Sequence, residues 1–271
     1  MREHLSFWKE SGVARVSLGI QSLRDHELLR LGRLHNAKTA LSALDACLEA
    51  GFLTSCDIIF GIPGQSLRDW HETLRYLAER KVPHVSAYQL SIEPGSMWAD
   101  VPASAPSDGY PFYRWTQFYL GHKGYLQYEI SSFCVDSKWC FHNLGYWYGR
   151  DCIGLGPSAW GLLGGRRYRN VRDLDAYCRR LEAGKSAKEW TERLSDDAAA
   201  SESAILALRT FWGLNLKMYE KKFGTERASL LREQLDALPN HYLLRKKHRV
   251  ALSPRGMRVG NAIWERLLPG F

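Results

Sequence analysis

Two hydrophobic periods alternate along the first half of this chain, one near 3.6 residues and one set by short apolar runs, and they mark helices and strands in turn. Residues 13–18 predict a short buried strand. Ser22, with Asp25 three positions on, predicts a cap for a short helix that ends near Leu31 and Gly32. Asn36 predicts the cap of a second helix, whose apolar positions Ala40, Leu41, Leu44, Cys47 and Leu48 share a face and which stops at Gly51. A strand over 53–60 and a Gly- and Pro-rich turn over 61–65 follow. Ser66 and Asp69 cap the next helix, with Leu67, Trp70, Leu74 and Leu77 on one side. Pro83 ends that connection before a strand over 84–90. After a loop around Glu93-Pro94-Gly95 come a helix over 110–122, a break at Gly124 and a strand over 125–130.

Strands alternating with helices of this length argue for parallel βαβ units. About four such strands are visible, against ~8 in a closed barrel. The first strand therefore has an open edge, a liability in a parallel sheet. Residues 131–172 are rich in Gly and aromatic rings and show little periodicity. Helical patterns return over 174–181, 196–212, 216–223 and 225–238. A strand pair over 242–245 and 249–252 and a last helix to Leu268 complete a helical, winged-helix-like domain. The expected fold class is α/β, a partial (β/α) barrel followed by that domain. The expected division is 1–130 for the partial barrel, 131–194 for a connecting region that completes the core, and 195–271 for the winged-helix-like domain.

The 271 residues are 45% hydrophobic, enough for a core and too many for disorder. No apolar run approaches the ~20 residues needed to span a bilayer, and Met1-Arg2-Glu3-His4-Leu5 leads into no signal-peptide core, so a cytoplasmic protein is expected. A net charge of +8 permits an anionic partner without choosing among nucleic acid, headgroups and a polycarboxylate such as a porphyrin. Of the six cysteines, Cys47 and Cys178 fall on apolar helix faces and Cys56 in a strand, which predicts burial. Cys134, Cys140 and Cys152, with His142 between the last two, match no tight metal-binding spacing.

In α/β barrels the strand C-termini converge on one mouth. The polar residues there are Gln21, Asp57 and the pair Gln89 and Ser91, with Arg33 after the first short helix. Such a set suits a small zwitterion bearing hydroxyls, since a guanidinium can clamp a carboxylate and a carboxylate can accept from a ribose. The competing reading is that Asp57 and Arg33 pair with each other and do no more than cap neighbouring elements.

Several motifs, taken together, resemble the radical-SAM coproporphyrinogen III oxidase-like family, and most closely its HemW-type branch. They are Gly19-Ile20-Gln21-Ser22, Gly32-Arg33-Leu34-His35-Asn36, Asp57 through Gln65, Leu90 through Ser96, Tyr128-Glu129-Ile130-Ser131-Ser132-Phe133, His142-Asn143-Leu144-Gly145-Tyr146-Trp147 and Ser253-Pro254-Arg255-Gly256. The resemblance implies a radical-SAM barrel that uses S-adenosylmethionine and a [4Fe–4S] cluster in heme or porphyrin metabolism. It places Gln21, Arg33, Asp57 and, more loosely, Ser91 on S-adenosylmethionine-contacting positions, and the 61–65 turn beneath adenine. It makes His142, Asn143, Tyr146 and Trp147 the heme- or porphyrin-associated set, in which a His can ligate iron and aromatics can stack on a macrocycle. A heme-accepting client protein is the implied partner.

The chain departs from the family in three places. The C-x3-C-x2-C loop that holds the cluster is absent, Trp160 stands where the branch has a His, and Met1 falls inside what would be continuous family sequence. The expectation is a truncated chain with no catalysis by itself; a clusterless heme- or protein-binding relative is the alternative. The basic run Arg245-Lys246-Lys247-His248-Arg249 at the wing tip offers nucleic-acid binding as a weaker reading, because such a domain packs on the barrel in the family resembled.

Overall fold

The computed structural model describes residues 2–92, 94–95 and 108–267, with the side chains of Arg2 and Glu3 left out. Glu93 and Ser96 of the expected loop motif, and Leu268, lie outside the described residues. The chain divides into two compact units, Met1–Trp139 and Cys140–Phe271.

The first unit runs α1 (Arg2–Glu10), β1 (Arg15–Gln21), α2 (Asp25–Arg30), α3 (Ala37–Glu49), β2 (Leu53–Phe60), α4 (Leu67–Glu79), β3 (His84–Gln89), α5 (Tyr110–His122), β4 (Leu126–Gln127) and β5 (Ser132–Cys134). Its sheet has the order β1-β2-β3-β5-β4. β1, β2 and β3 are parallel, as the βαβ pattern requires. β5 then pairs antiparallel with β3, and β4 antiparallel with β5. The sheet is therefore mixed and open. The strand expected over 125–130 shrinks to Leu126–Gln127, and β5, in the stretch read as aperiodic, takes the place beside β3. Three residues are too few to show a period, so their pairing was invisible in the sequence.

The two faces of this sheet differ. Leu18, Ile20, Cys56, Ile58, Phe60, Val85, Ala87 and Phe133 join one apolar cluster with Leu44, Trp70, Leu74, Leu77 and Leu120 from the helices. The opposite face carries Ser17, Gly19, Ser55, Asp57, His84, Ser86 and Ser132, as strand alternation dictates. Toward the N-terminal ends of the strands this polar face is sealed. His84 there is hydrogen-bonded to Ser55 Oγ through Nδ1 and to Tyr128 OH through Nε2, both at 2.7 Å. Toward the C-terminal ends it opens: Gly19 and Tyr88 are exposed and Asp57 is half-buried.

Local signals set the helix starts. Asn36 accepts from the Thr39 N–H, and Ser66 from that of Asp69. The cap expected at Ser22 is different. The first turn of α2 follows Arg24 without a side-chain cap, and Asp25 instead accepts from Ala37 N–H at the start of α3, at 2.7 Å. One expectation of burial fails: Cys178 faces solvent, on a helix over 174–182 that buries none of its residues.

The second unit begins with α6 (Phe141–Trp147), then β6 (Trp160–Leu163), β7 (Arg166–Asn170), α7 (Leu174–Glu182) and β8 (Lys188–Arg193), whose strands form an antiparallel sheet. That sheet too was not foreseen. α8 (Asp196–Leu208), β9 (Leu214–Asn215), α9 (Leu216–Phe223), α10 (Thr225–Asp236), β10 (Leu243–Lys246) and β11 (Arg249–Leu252) follow in winged-helix order, closed by α11 (Pro254–Arg258) and α12 (Gly260–Leu267). The small sheet is β10-β11-β9. Gly213, at φ +61, lets β9 close on β11, since a Cβ there would strike the Val250 carbonyl.

Candidate functional site

In the first unit Gln21 and Asp57 belong to β1 and β2, whereas Arg33 and Ser91 follow α2 and β3. Gln21 ends β1 at φ 65, beyond a bulge between Gly19 and Gln21 that re-aims the chain. Its side chain folds back over Gly19, where a Cβ would come within 2.6 Å of Nε2. Asp57 is deeper than a strand-end residue. It is level with Gly19 on one side and Ser86 on the other, three residues before β2 ends at Phe60. Its Oδ2 accepts from Ser17 Oγ at 2.9 Å. Among the described residues Asp57 and Arg33 form no ion pair, and the hydrogen bond to Asp57 comes from Ser17. Arg33 is exposed after α2, and Ser91 is exposed just past β3.

The turn from Gly61 to Gln65 rises from the end of β2 next to this face. Gly61 and Gly64 both take positive φ, at 78 and 76. Gln65 closes the turn by accepting from the Gly61 N–H through Oε1, at 2.9 Å. An apolar groove lies between β1 and α3, lined by Leu18, Ile20, His35, Ala40 and Ala43, and His35 Nε2 is 3.3 Å from the Ile20 carbonyl.

In the second unit α6 brings His142 and Tyr146 together. Tyr146 OH and His142 Nε2 are 2.6 Å apart and the rings meet edge to face at 4.8 Å. Both side chains are exposed, as is Phe141 beside them. Trp147 points elsewhere: it is half-buried beneath the Arg209 guanidinium, whose carbon is 4.4 Å from the ring centroid. Asn143 is half-buried. The four residues thus divide into an exposed His–Tyr pair and a partly covered Asn143 and Trp147.

The cysteines do not offer a cluster site. Cys47, Cys56 and Cys134 are buried in the first unit, where burial pushes all three thiols up, Cys134 to about 11. Among the described residues no three His, Cys, Asp or Glu side chains come close enough to hold a metal ion. The residues present do not fit an iron–sulfur cluster. Those of the open face do fit an adenosyl group, by the half-buried carboxylate at Asp57 and the amide at Gln21.

The basic run at the wing tip is partly engaged inside its own domain. Arg245 pairs with Asp236 at 2.7 Å, and Arg249 donates to the Trp212 carbonyl.

Comparison with known proteins follows the same division. The family model of the Radical SAM superfamily matches residues 1–77, and that of the HemN C-terminal domain matches residues 194–259. The structure of coproporphyrinogen III oxidase (HemN) from Escherichia coli superposes with a TM-score of 0.81 at 19% identity, over 98% of this chain and 67% of that one. Fold and sequence together define a radical-SAM protein with a HemN-type C-terminal domain. The Mycobacterium tuberculosis H37Rv heme chaperone HemW is 32% identical across 96% of this chain and 67% of its own length. That of Lactococcus lactis is 29% identical over 96% of this chain and 70% of its own. The chain belongs to the HemW family, and it spans about two thirds of the length of these relatives.

Ser17, Glu27 and the His84 chain escaped the sequence reading. The alternation Arg15, Ser17, Gly19, Gln21 against Val16, Leu18, Ile20 was available as a signal for a two-faced strand.

Proposed function

We propose that this chain handles heme or a closely related porphyrin through α6, and carries an S-adenosylmethionine-binding face on its first unit. The observation that carries the reading is the exposed His142–Tyr146 pair, hydrogen-bonded at 2.6 Å with Phe141 exposed beside it. An imidazole presented to solvent is available to iron, and the flanking rings supply apolar area to a flat macrocycle. The relatives' name, heme chaperone, supports transfer of the bound heme to a client protein.

On the first unit, Asp57 would accept from a ribose hydroxyl, Gln21 would orient the sugar edge, Arg33 would clamp the methionine carboxylate and Ser91 would add a hydroxyl. The 61–65 turn, which the resemblance puts beneath adenine, would set the backbone at the purine end of the site. S-adenosylmethionine supplies one-electron chemistry in radical-SAM proteins when a cluster anchors it. None of the six cysteines stands in a C-x3-C-x2-C spacing, so binding, and not cleavage, is the expected property of this chain. Nucleic acid is not the expected partner, because Arg245 and Arg249 are already committed within the wing.

Titration of the full chain with hemin, followed by the Soret band, tests the first part. A saturable, red-shifted band that is lost in His142→Ala is expected. The same spectrum with and without His142 would sink the assignment. Reconstitution with iron and sulfide should yield no S-adenosylmethionine cleavage.

A further inference from the structure

α2 holds a buried carboxylate that none of the roles above uses. Glu27 is 2% exposed, in a helix of six residues between β1 and Arg33. Burying a carboxylate is costly unless it is hydrogen-bonded, so its partners show what keeps it there. One oxygen, Oε2, accepts from Ser22 Oγ and from Gln65 Nε2, the latter at 3.1 Å. Oε1 is buried and has no hydrogen-bond partner among the described residues.

The Gln65 contact joins this helix to the glycine turn. Gln65 is itself 8% exposed, and its amide is held at both ends. Nε2 donates to Glu27 at 3.1 Å and, at a longer 3.4 Å, to the Ile59 carbonyl, while Oε1 accepts from the Gly61 N–H at 2.9 Å. The carboxylate only accepts, so it forces the amide nitrogen toward itself and the amide oxygen toward Gly61. A second strap runs in parallel: Arg30 Nη1 donates to the Pro63 carbonyl at 2.5 Å. α2 therefore grips the turn at two points one helical turn apart, and Ser22, next to Gln21, ties the same carboxylate to the end of β1.

We infer that Glu27 is a positioning residue that sets the shape of the purine end of the adenosyl site by locking the Gln65 amide against Gly61. The inference rests on the S-adenosylmethionine reading of this face. It assigns Glu27 no contact with ligand. Without the carboxylate the Gln65 amide nitrogen keeps only its longer contact to the Ile59 carbonyl, at 3.4 Å, so the amide oxygen is held less firmly against the Gly61 N–H and the turn loses one of its two straps to α2.

The test is calorimetric titration of the full chain with S-adenosylhomocysteine, with thermal midpoints recorded for every variant. Glu27→Leu keeps the volume but removes the acceptor, and should weaken binding about tenfold or more. Glu27→Gln retains an oxygen for Ser22 and Gln65, and should restore affinity to within about threefold of wild type. Gln65→Leu should match Glu27→Leu, and the double variant should be no weaker than either single, because both act through one bond. A Glu27→Leu chain that melts like wild type and binds like wild type would overturn the inference, as would additive losses in the double variant. If Glu27→Leu does not fold, the Gln65→Leu and Glu27→Gln pair carries the same comparison. Failure of the wild-type chain to bind S-adenosylhomocysteine is a separate result. It would overturn the adenosyl reading of the face, and the role of Glu27 with it.

Discussion

Ser17 Oγ donates to Asp57 Oδ2 across β1 and β2 at 2.9 Å, on the sheet face that the helices leave uncovered. The carboxylate is thereby held by a neighbouring strand and kept clear of a guanidinium. One of its oxygens is turned to the protein, which aims the group into the open end of the face. Asp57→Asn should weaken S-adenosylhomocysteine binding by about tenfold to a hundredfold, the range for losing a hydrogen bond to a charged group. Ser17→Ala should cost less, because Asp57 survives and only its aim is lost. Calorimetry on the two variants checks the order, and a larger loss in Ser17→Ala would contradict it.

His84 is buried between Ser55 and Tyr128, and this burial, reinforced by the Arg15 charge, pulls its pKa down to about 3. The folded ring is neutral at every pH at which the unfolded ring begins to protonate, near 6.5. Its stabilising contribution is therefore complete above about pH 6.5 and is lost progressively as pH falls toward 3. Between pH 6.5 and 5 the loss amounts to about 2 kcal/mol. Urea unfolding at pH 7 and pH 5 should show it. His84→Gln, which cannot titrate, should be less stable at pH 7 but have a flatter pH dependence.

Trp70 anchors the helix layer to the sheet. It is 1% exposed, packs on Phe60 at 5.5 Å and donates its indole N–H to Thr116 Oγ1 at 2.9 Å. Trp70→Ala should destabilise by about 3–5 kcal/mol through the cavity it leaves. Thr116→Val keeps the shape but strands a buried donor, and should cost about 1–3 kcal/mol. Denaturant midpoints measured on both variants would expose a wrong ranking.

Tyr146 occupies one ring nitrogen of His142, Nε2. If that nitrogen is the one that meets iron, Tyr146→Phe should tighten hemin binding by removing a competitor, while His142→Ala weakens it about tenfold or more. If Nδ1 is used, Tyr146→Phe should weaken binding, because the ring loses its orientation. Soret titrations of both variants distinguish the two nitrogens.

Much of the fold was legible because its signals are local. The strand over 53–60, the helices over 110–122 and 216–223 and the strand over 249–252 were read at the bounds they take, and the caps at Asn36 and Ser66 are made by residues three positions apart. Helical period, capping chemistry and glycine stops are carried by neighbours in the chain, and neighbours are what a sequence displays. Gln21 and Asp57 stand out in the sequence as polar residues near strand C-termini, but the bulge that re-aims Gln21 and the depth of Asp57, three residues before β2 ends, depend on pairing between strands. Tertiary structure decided whatever depends on partners far away in sequence. It placed the three residues of β5 beside β3, turned Asp25 from its own helix to the start of α3, and left Cys178 in solvent. It also buried Glu27 against Gln65, 38 positions away. No local period marks a carboxylate for burial; only the meeting of α2 with the turn after β2 removes it from water and supplies the donors that make that burial tolerable.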